Sequence, residues 1–175
     1  MELVSGMMDG SLSYELTHRR EPVVSGSGVQ REAKFELTDV PLFEGCSERQ
    51  LRNIASITRL VDAPPGTVIT RVGDPGNEFY LILDGTVSVD VPAGKPVALR
   101  PGEFFGEMSL LDGDLRSATV VTDTPVRFLV VDREHFSVFR REVPDFSQAL
   151  LITLSRRVRH AEQRADRMGA ASATL

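Results

Sequence analysis

With 175 residues, 41% of them hydrophobic and 26% charged, the chain has room for one globular domain with a true core, plus tails. A net charge of −5 argues against a general nucleic-acid coat protein, and the single cysteine, Cys46, excludes an internal disulfide framework and any cysteine-based zinc cluster. No apolar run reaches the ~18 residues needed to span a bilayer, and no basic segment followed by an apolar one opens the chain, so a cytoplasmic location is expected.

Residues 1–34 mix Gly, Ser and charge (Gly26-Ser27-Gly28, His18-Arg19-Arg20) without periodicity and read as a flexible leader. The domain proper is expected over 35–143. It opens with a short turn at Pro41-Leu42-Phe43 and a helix over 47–56, where Ser47 and Gln50 form a capping box ahead of Leu51, Ile54 and Ala55. From 59 to 132, short β-branched runs alternate with Gly/Pro turns about every ten residues. This predicts strands at 59–62, 67–71, 79–83, 86–91, 97–100, 118–122 and 127–131. Asp84-Gly85 between two such runs predicts a tight hairpin. The fold class expected is mainly β with flanking helices (α+β): a jelly-roll-like antiparallel barrel, or double-stranded β-helix. A short helix follows at 134–141. Nothing after Pro144 interrupts a long helix over 144–168, whose Leu151, Leu154, Val158, Ala161, Ala165 and Met168 make a heptad-like seam for docking on the roll or on a second copy; 169–175 is a tail.

The chemistry concentrates in Phe104-Phe105-Gly106-Glu107-Met108-Ser109-Leu110-Leu111-Asp112-Gly113-Asp114-Leu115-Arg116-Ser117-Ala118-Thr119. A glycine opens a very short helix inside a β region, a carboxylate follows at once, and a lone Arg precedes the next strand. Unpaired amide hydrogens at a helix start suit a phosphate, Gly106 admits close backbone approach, and Arg116 adds a permanent forked charge. Glu107 repels such an anion but suits a hydroxyl donor beside it. An anion site next to a hydroxyl acceptor is what a ribose phosphate requires.

This segment resembles the phosphate-binding cassette of cyclic-nucleotide-binding domains. Val72-Gly73-Asp74-Pro75-Gly76-Asn77-Glu78-Phe79-Tyr80-Leu81-Ile82-Leu83-Asp84-Gly85-Thr86-Val87 is similar to the strand–turn–strand signature of that family. The resemblance covers about residues 36–160. It implies that Arg116 pairs with the exocyclic phosphate, that Gly106, Met108 and Ser109 supply backbone donors, that Ser117 adds a hydroxyl, and that Glu107 takes the ribose 2′-hydroxyl. On the C-terminal helix it singles out Arg157 as the contact to the base. Leu115 stands where the family often has Pro, which should loosen the turn, and Ser109 replaces a common Ala.

The function expected is a non-enzymatic sensor of cAMP, ahead of cGMP, with no other cofactor. It would signal by moving its C-terminal helix toward a dimer mate or an unknown effector protein. No metal is expected, since His18, His135 and His160 do not cluster, and no DNA binding, since a helix-turn-helix does not fit within 169–175. The competing readings are plainer. Arg116 would answer Asp112 or Asp114 in a surface ion pair, Glu107 would cap a turn, and the domain would be a scaffold with a dead pocket.

Overall fold

The computed structural model describes residues 37–38, 40–92 and 94–172, with side chains on the last helix described through 159 and at 161–163. The expected leader and the end of the tail lie outside the described residues. A 3-10 turn at Pro41–Phe43 leads into helix α1, Glu48–Ile57. The expected capping box is present: the Gln50 N–H donates to Ser47 Oγ at 3.3 Å and the Ser47 N–H to Gln50 Oε1 at 2.9 Å. Eight strands follow: β1 Arg59–Ala63, β2 Val68–Thr70, β3 Glu78–Asp84, β4 Val87–Asp90, β5 Val97–Leu99, β6 Phe104–Phe105, β7 Thr119–Thr122 and β8 Val126–Asp132. Helix α2, Glu107–Asp112, lies between β6 and β7, and α3 (Arg133–Glu142) and α4 (Phe146–Ser172) end the chain.

The strands form two antiparallel four-stranded sheets, in the orders β1-β8-β3-β6 and β2-β7-β4-β5, a jelly-roll arrangement of the expected class. The central strands β3 and β8 of the first sheet are buried on both faces, which is why they read as nearly unbroken apolar runs. Tyr80, Ile82, Phe128 and Val130 point between the sheets with Phe105, Val87 and Val120. Their neighbours Phe79, Leu81, Leu129 and Val131 point the other way, under the helices. Phe79 anchors that second core, with the rings of Phe104, Phe136, Phe139 and Phe146 at centroid distances of 5.4–5.5 Å. Glu142 ties α3 to α1: its backbone carbonyl accepts from Gln50 Nε2 at 3.0 Å and its carboxylate from Asn53 Nδ2 at 3.3 Å.

Two expectations need correction. Asp84-Gly85 does not close a hairpin, because β3 and β4 belong to different sheets and pair with β8 and β7 instead. The turn is a corner that carries the chain from one sheet to the other. Gly85 is required there by φ +83° and by the Pro125 carbonyl, 2.2 Å from where a Cβ would stand. On α4 the face docked on the roll is Phe146, Leu150 and Leu154, so of the expected seam Leu154 packs on the roll while Leu151 and Val158 are 66% and 55% exposed, and the side chains of Ala165 and Met168 lie outside those described. The helix runs through Gly169 to Ser172. Strand β6 escaped the sequence reading because two residues carry no alternation. No helix among the described residues is long and apolar enough to cross a membrane.

Candidate functional site

Strand β6 pairs with Tyr80 and Leu81 of β3 and delivers the backbone to Gly106. That residue sits at φ +87°, and a Cβ on it would lie 2.6 Å from Arg116 Nη1 and 2.7 Å from the Glu78 carbonyl oxygen. Both the dihedral and the space demand glycine. Helix α2 ends at Gly113, whose N–H bonds to the Ser109 carbonyl at 3.2 Å. The loop back to β7 is organised by its own acids: Asp112 Oδ1 accepts from the Asp114 N–H at 2.9 Å, and Asp114 Oδ1 from the Leu115 N–H at 2.8 Å. Proline at Leu115 would have no N–H to give, so turn chemistry here replaces the ring.

Arg116 is held at both ends. Its N–H donates to the Asp74 carbonyl and its carbonyl accepts from the Gly73 N–H, each at 2.8 Å, so the β2–β3 loop frames it. The guanidinium is buried, with the residue 7% exposed. Nη1 donates to the Gly106 carbonyl at 3.0 Å and Nη2 to the Glu78 carbonyl at 2.8 Å. The Tyr80 ring lies 5.8 Å beneath it, stacked in turn on Phe105. Asp112 and Asp114 are not its partners, which removes the surface ion-pair reading. Burial pulls the Arg116 pKa down, while Tyr80, Glu78 and Glu107 support the charge. The Tyr80 hydroxyl donates to the Glu78 carboxylate, which also pairs with Arg59, and burial drives the phenol pKa upward.

Glu107 is completely buried, at 0% exposure. Its Oε1 accepts from Arg157 Nη1 of α4, and its Oε2 has no hydrogen-bond partner among the described residues. Burial raises its pKa; the Arg157 guanidinium is the largest opposing influence. Arg157 Nη2 also donates to the Phe104 carbonyl at 3.1 Å, so α4 is attached to the cassette at two points. The structure thus brings Gly106, Glu107, Met108, Ser109, Arg116, Ser117 and Arg157 together. Arg157 lies on the ribose carboxylate of the sequence reading. Ser109 is buried beneath Gly76, and the exposed Ser117 hydroxyl lies 3.7 Å from Met108 Sδ.

Sequence reasoning missed Gly76, Glu78, Tyr80 and Arg133 as parts of the site. A Cβ at Gly76 would lie 2.4 Å from Ser109 Cβ and 3.0 Å from Arg116 Nε, so that glycine is the wall of the cradle. Its place two residues before β3 was the signal available; Arg133 gave none. Among the described residues, no group of three or more His, Cys, Asp or Glu could hold a metal. Burial, with Asp145 and Glu142 nearby, raises the Cys46 pKa, against a reactive thiolate. A separate cavity of about 660 Å³ lies where Pro64, Asp84 and Pro125 turn, and shares no lining residue with the cassette.

Comparison with known proteins agrees with this fold. Residues 60–142 match the family model of the cyclic nucleotide-binding domain. The chain is 38% identical over 109 residues to a cyclic nucleotide-gated potassium channel of Mesorhizobium japonicum, covering 62% of this chain and 30% of the channel. The catabolite activator protein of Thermus thermophilus superposes with a TM-score of 0.62 at 33% identity, over 74% of this chain and 63% of that one. A cAMP-binding acyltransferase from Mycobacterium smegmatis superposes with a TM-score of 0.56 at 35% identity, over 63% of this chain and 36% of the enzyme. The chain therefore spans less than two thirds of each of these relatives. Through residues 60–142, just under half of its length, the chain is similar to the cyclic nucleotide-binding domain family.

Proposed function

We propose that this domain is a non-enzymatic sensor that binds a cyclic nucleotide, cAMP in preference to cGMP, in the cradle between α2, Arg116 and the β2–β3 loop. The observation that carries the reading is Glu107 Oε2, a carboxylate oxygen buried without a partner one residue from the glycine whose carbonyl holds Arg116. A buried acceptor left unpaired costs about 1–3 kcal/mol, more when charged, and a ribose 2′-hydroxyl is a donor that would satisfy it. Arg116 spends two of its five N–H donors on carbonyls and keeps the rest for an exocyclic phosphate. The backbone N–H groups of Gly106, Met108 and Ser109 and the Ser117 hydroxyl complete the phosphate contacts. The preference for cAMP draws support from the acyltransferase relative, which is described as binding it.

Arg157 couples this site to α4. Because it grips Glu107 through Oε1, the ribose can use Oε2 without displacing it, and a shift of the cassette on the ligand is passed to the helix. A contact from Arg157 to the base requires that this pair open. The helix moves only as far as the ligand's differential affinity for its two positions allows. Output would pass to a second copy or an effector protein through the exposed Leu151, Ile152 and Val158.

The competing reading, a scaffold with a dead pocket, draws on the fact that Arg116 and Glu107 already have protein partners. It leaves Glu107 Oε2 unexplained. Calorimetric titration with cAMP, cGMP and 2′-deoxy-cAMP separates the two. The sensor reading expects heat from cAMP and a marked loss of affinity for the 2′-deoxy analogue; no heat and no melting shift at millimolar nucleotide would establish the scaffold.

A further inference from the structure

One charged side chain close to the cradle is absorbed neither by phosphate nor by ribose recognition. Arg133 is the first residue of α3, and its guanidinium reaches back across the site. Nη2 donates to the Gly76 carbonyl at 2.7 Å and to the Ser109 carbonyl at 2.8 Å, and Nε donates to Asn77 Oδ1 at 3.3 Å. Its backbone N–H donates to the Asn77 carbonyl at 2.8 Å. Three pieces of chain with no direct continuity, the β2–β3 loop, α2 and α3, therefore converge on one residue.

The place of those acceptors matters. Gly76 is the wall against which both Ser109 and Arg116 pack, with no room for a methyl group. Ser109 is the middle of α2, and its carbonyl also closes that helix through Gly113. The spacing between these two carbonyls sets the width of the cradle. A guanidinium holds it well: its donors are charged, which roughly doubles the strength of each bond, and planar, which fixes their directions. The positive charge also stands near the Arg116 guanidinium, which it disfavours, so the cradle is preloaded for an anion.

We propose that Arg133 is the positioning residue that sets the gap between Gly76 and Ser109, and hence the fit of the phosphate, and that it links the cassette to α3. The inference rests on the nucleotide-binding reading, so its test has one arm that needs no nucleotide. Arg133→Met removes the donors and keeps the stem; Arg133→Lys keeps the charge without the fork; Arg133→Gln serves if the Met variant does not fold.

In the unliganded full chain, amide exchange at 106–113 and 74–78 is expected to quicken about 10- to 100-fold in the Met and Lys variants, while β3 and β8 keep their protection. Affinity for cAMP is expected to fall about tenfold or more in both. The loss should be non-additive with Arg116→Ala, since Arg133 acts through the cradle that Arg116 shares. Unchanged exchange at 106–113 would overturn the proposal, as would faster exchange with wild-type cAMP affinity. Full rescue by Lys would also overturn it, because charge rather than fork geometry would then be at work. A wild-type chain that binds neither cAMP nor cGMP refutes the nucleotide reading instead, and the exchange arm then decides the clamp alone.

Discussion

The Arg157–Glu107 pair makes two opposite pH dependences predictable from one substitution. Arg157→Leu keeps the stem of the side chain on the cassette and removes the cation. Removing one partner of a fully buried pair costs about 3–5 kcal/mol, but the Arg157 side chain is 36% exposed and partly screened, so we expect about 1–3 kcal/mol near pH 8. Glu107 already titrates above the ordinary carboxylate range because of burial, and Arg157 is its strongest counterweight. Without that counterweight its pKa rises further. A carboxyl with a folded pKa above the unfolded one binds more protons when folded, so its ionisation weakens the fold as pH rises. The cost of the substitution is therefore largest at pH 8 and shrinks as pH falls toward the carboxylate range. Nucleotide affinity runs the other way: the ionised carboxylate is the better acceptor for a ribose hydroxyl, so cAMP affinity of the variant climbs with pH, while that of the wild type stays flatter. Thermal melts and calorimetry at pH 5, 6.5 and 8 read both slopes. An equal loss of stability at pH 5 and pH 8 would show that Arg157 does not keep Glu107 ionised, and the coupling of α4 to the ribose site would fall with it.

Arg116→Ala should leave a folded β-roll, somewhat destabilised by the unpaired Gly106 and Glu78 carbonyls, and cost about 2–5 kcal/mol in nucleotide binding, roughly 30- to several-thousand-fold. A variant that titrates like wild type by calorimetry would remove the phosphate assignment. Gly106→Ala should do both kinds of damage, since the added carbon meets the Glu78 carbonyl at 2.7 Å and pushes on Arg116; a melting temperature and an affinity both unchanged would contradict the geometry. On α4, Leu151→Glu with Val158→Glu should lower self-association in sedimentation without lowering the melting temperature, because neither side chain is in the core. Cutting the chain before α4 would be a poor substitute, because it deletes the buried Phe146 and Leu150.

Much of this architecture was legible because local rules and tertiary demands agree. The Ser47/Gln50 box, the paired apolar runs of β3 and β8 and the Gly106-to-Arg116 motif each announce themselves within a few residues. What escaped depends on partners far away in sequence. Asp84-Gly85 has the chemistry of a hairpin, but β3 finds β8 across more than forty residues, so the same turn becomes a corner between sheets. The α4 heptads are equally apolar on two sides. Only the position of α3 and β6 decides that Phe146, Leu150 and Leu154 dock while Leu151 and Val158 stay outside. Arg133 and Tyr80 were illegible as site residues for the same reason, since the acceptors of the Arg133 guanidinium and the Arg116 and Phe105 groups against the Tyr80 ring lie 24 or more residues away.

The cassette also explains why a buried cluster of ions persists where an apolar core would be the more stable choice. Arg157 pairs with Glu107, while Arg116 has Glu78 and Glu107 in its support and the Arg133 guanidinium against it. An anion bound at Arg116 would offset that repulsion, so the cations would be held more firmly with the proposed ligand than without it. Arg157 sits on α4, where no described side chain past Leu154 is buried, and its hold on Glu107 is the most C-terminal polar link of that helix to the roll among the described residues. If the proposed ligand binds at Arg116, it would therefore bear on a segment of α4 with little described apolar packing, where a modest coupling free energy can produce a large displacement.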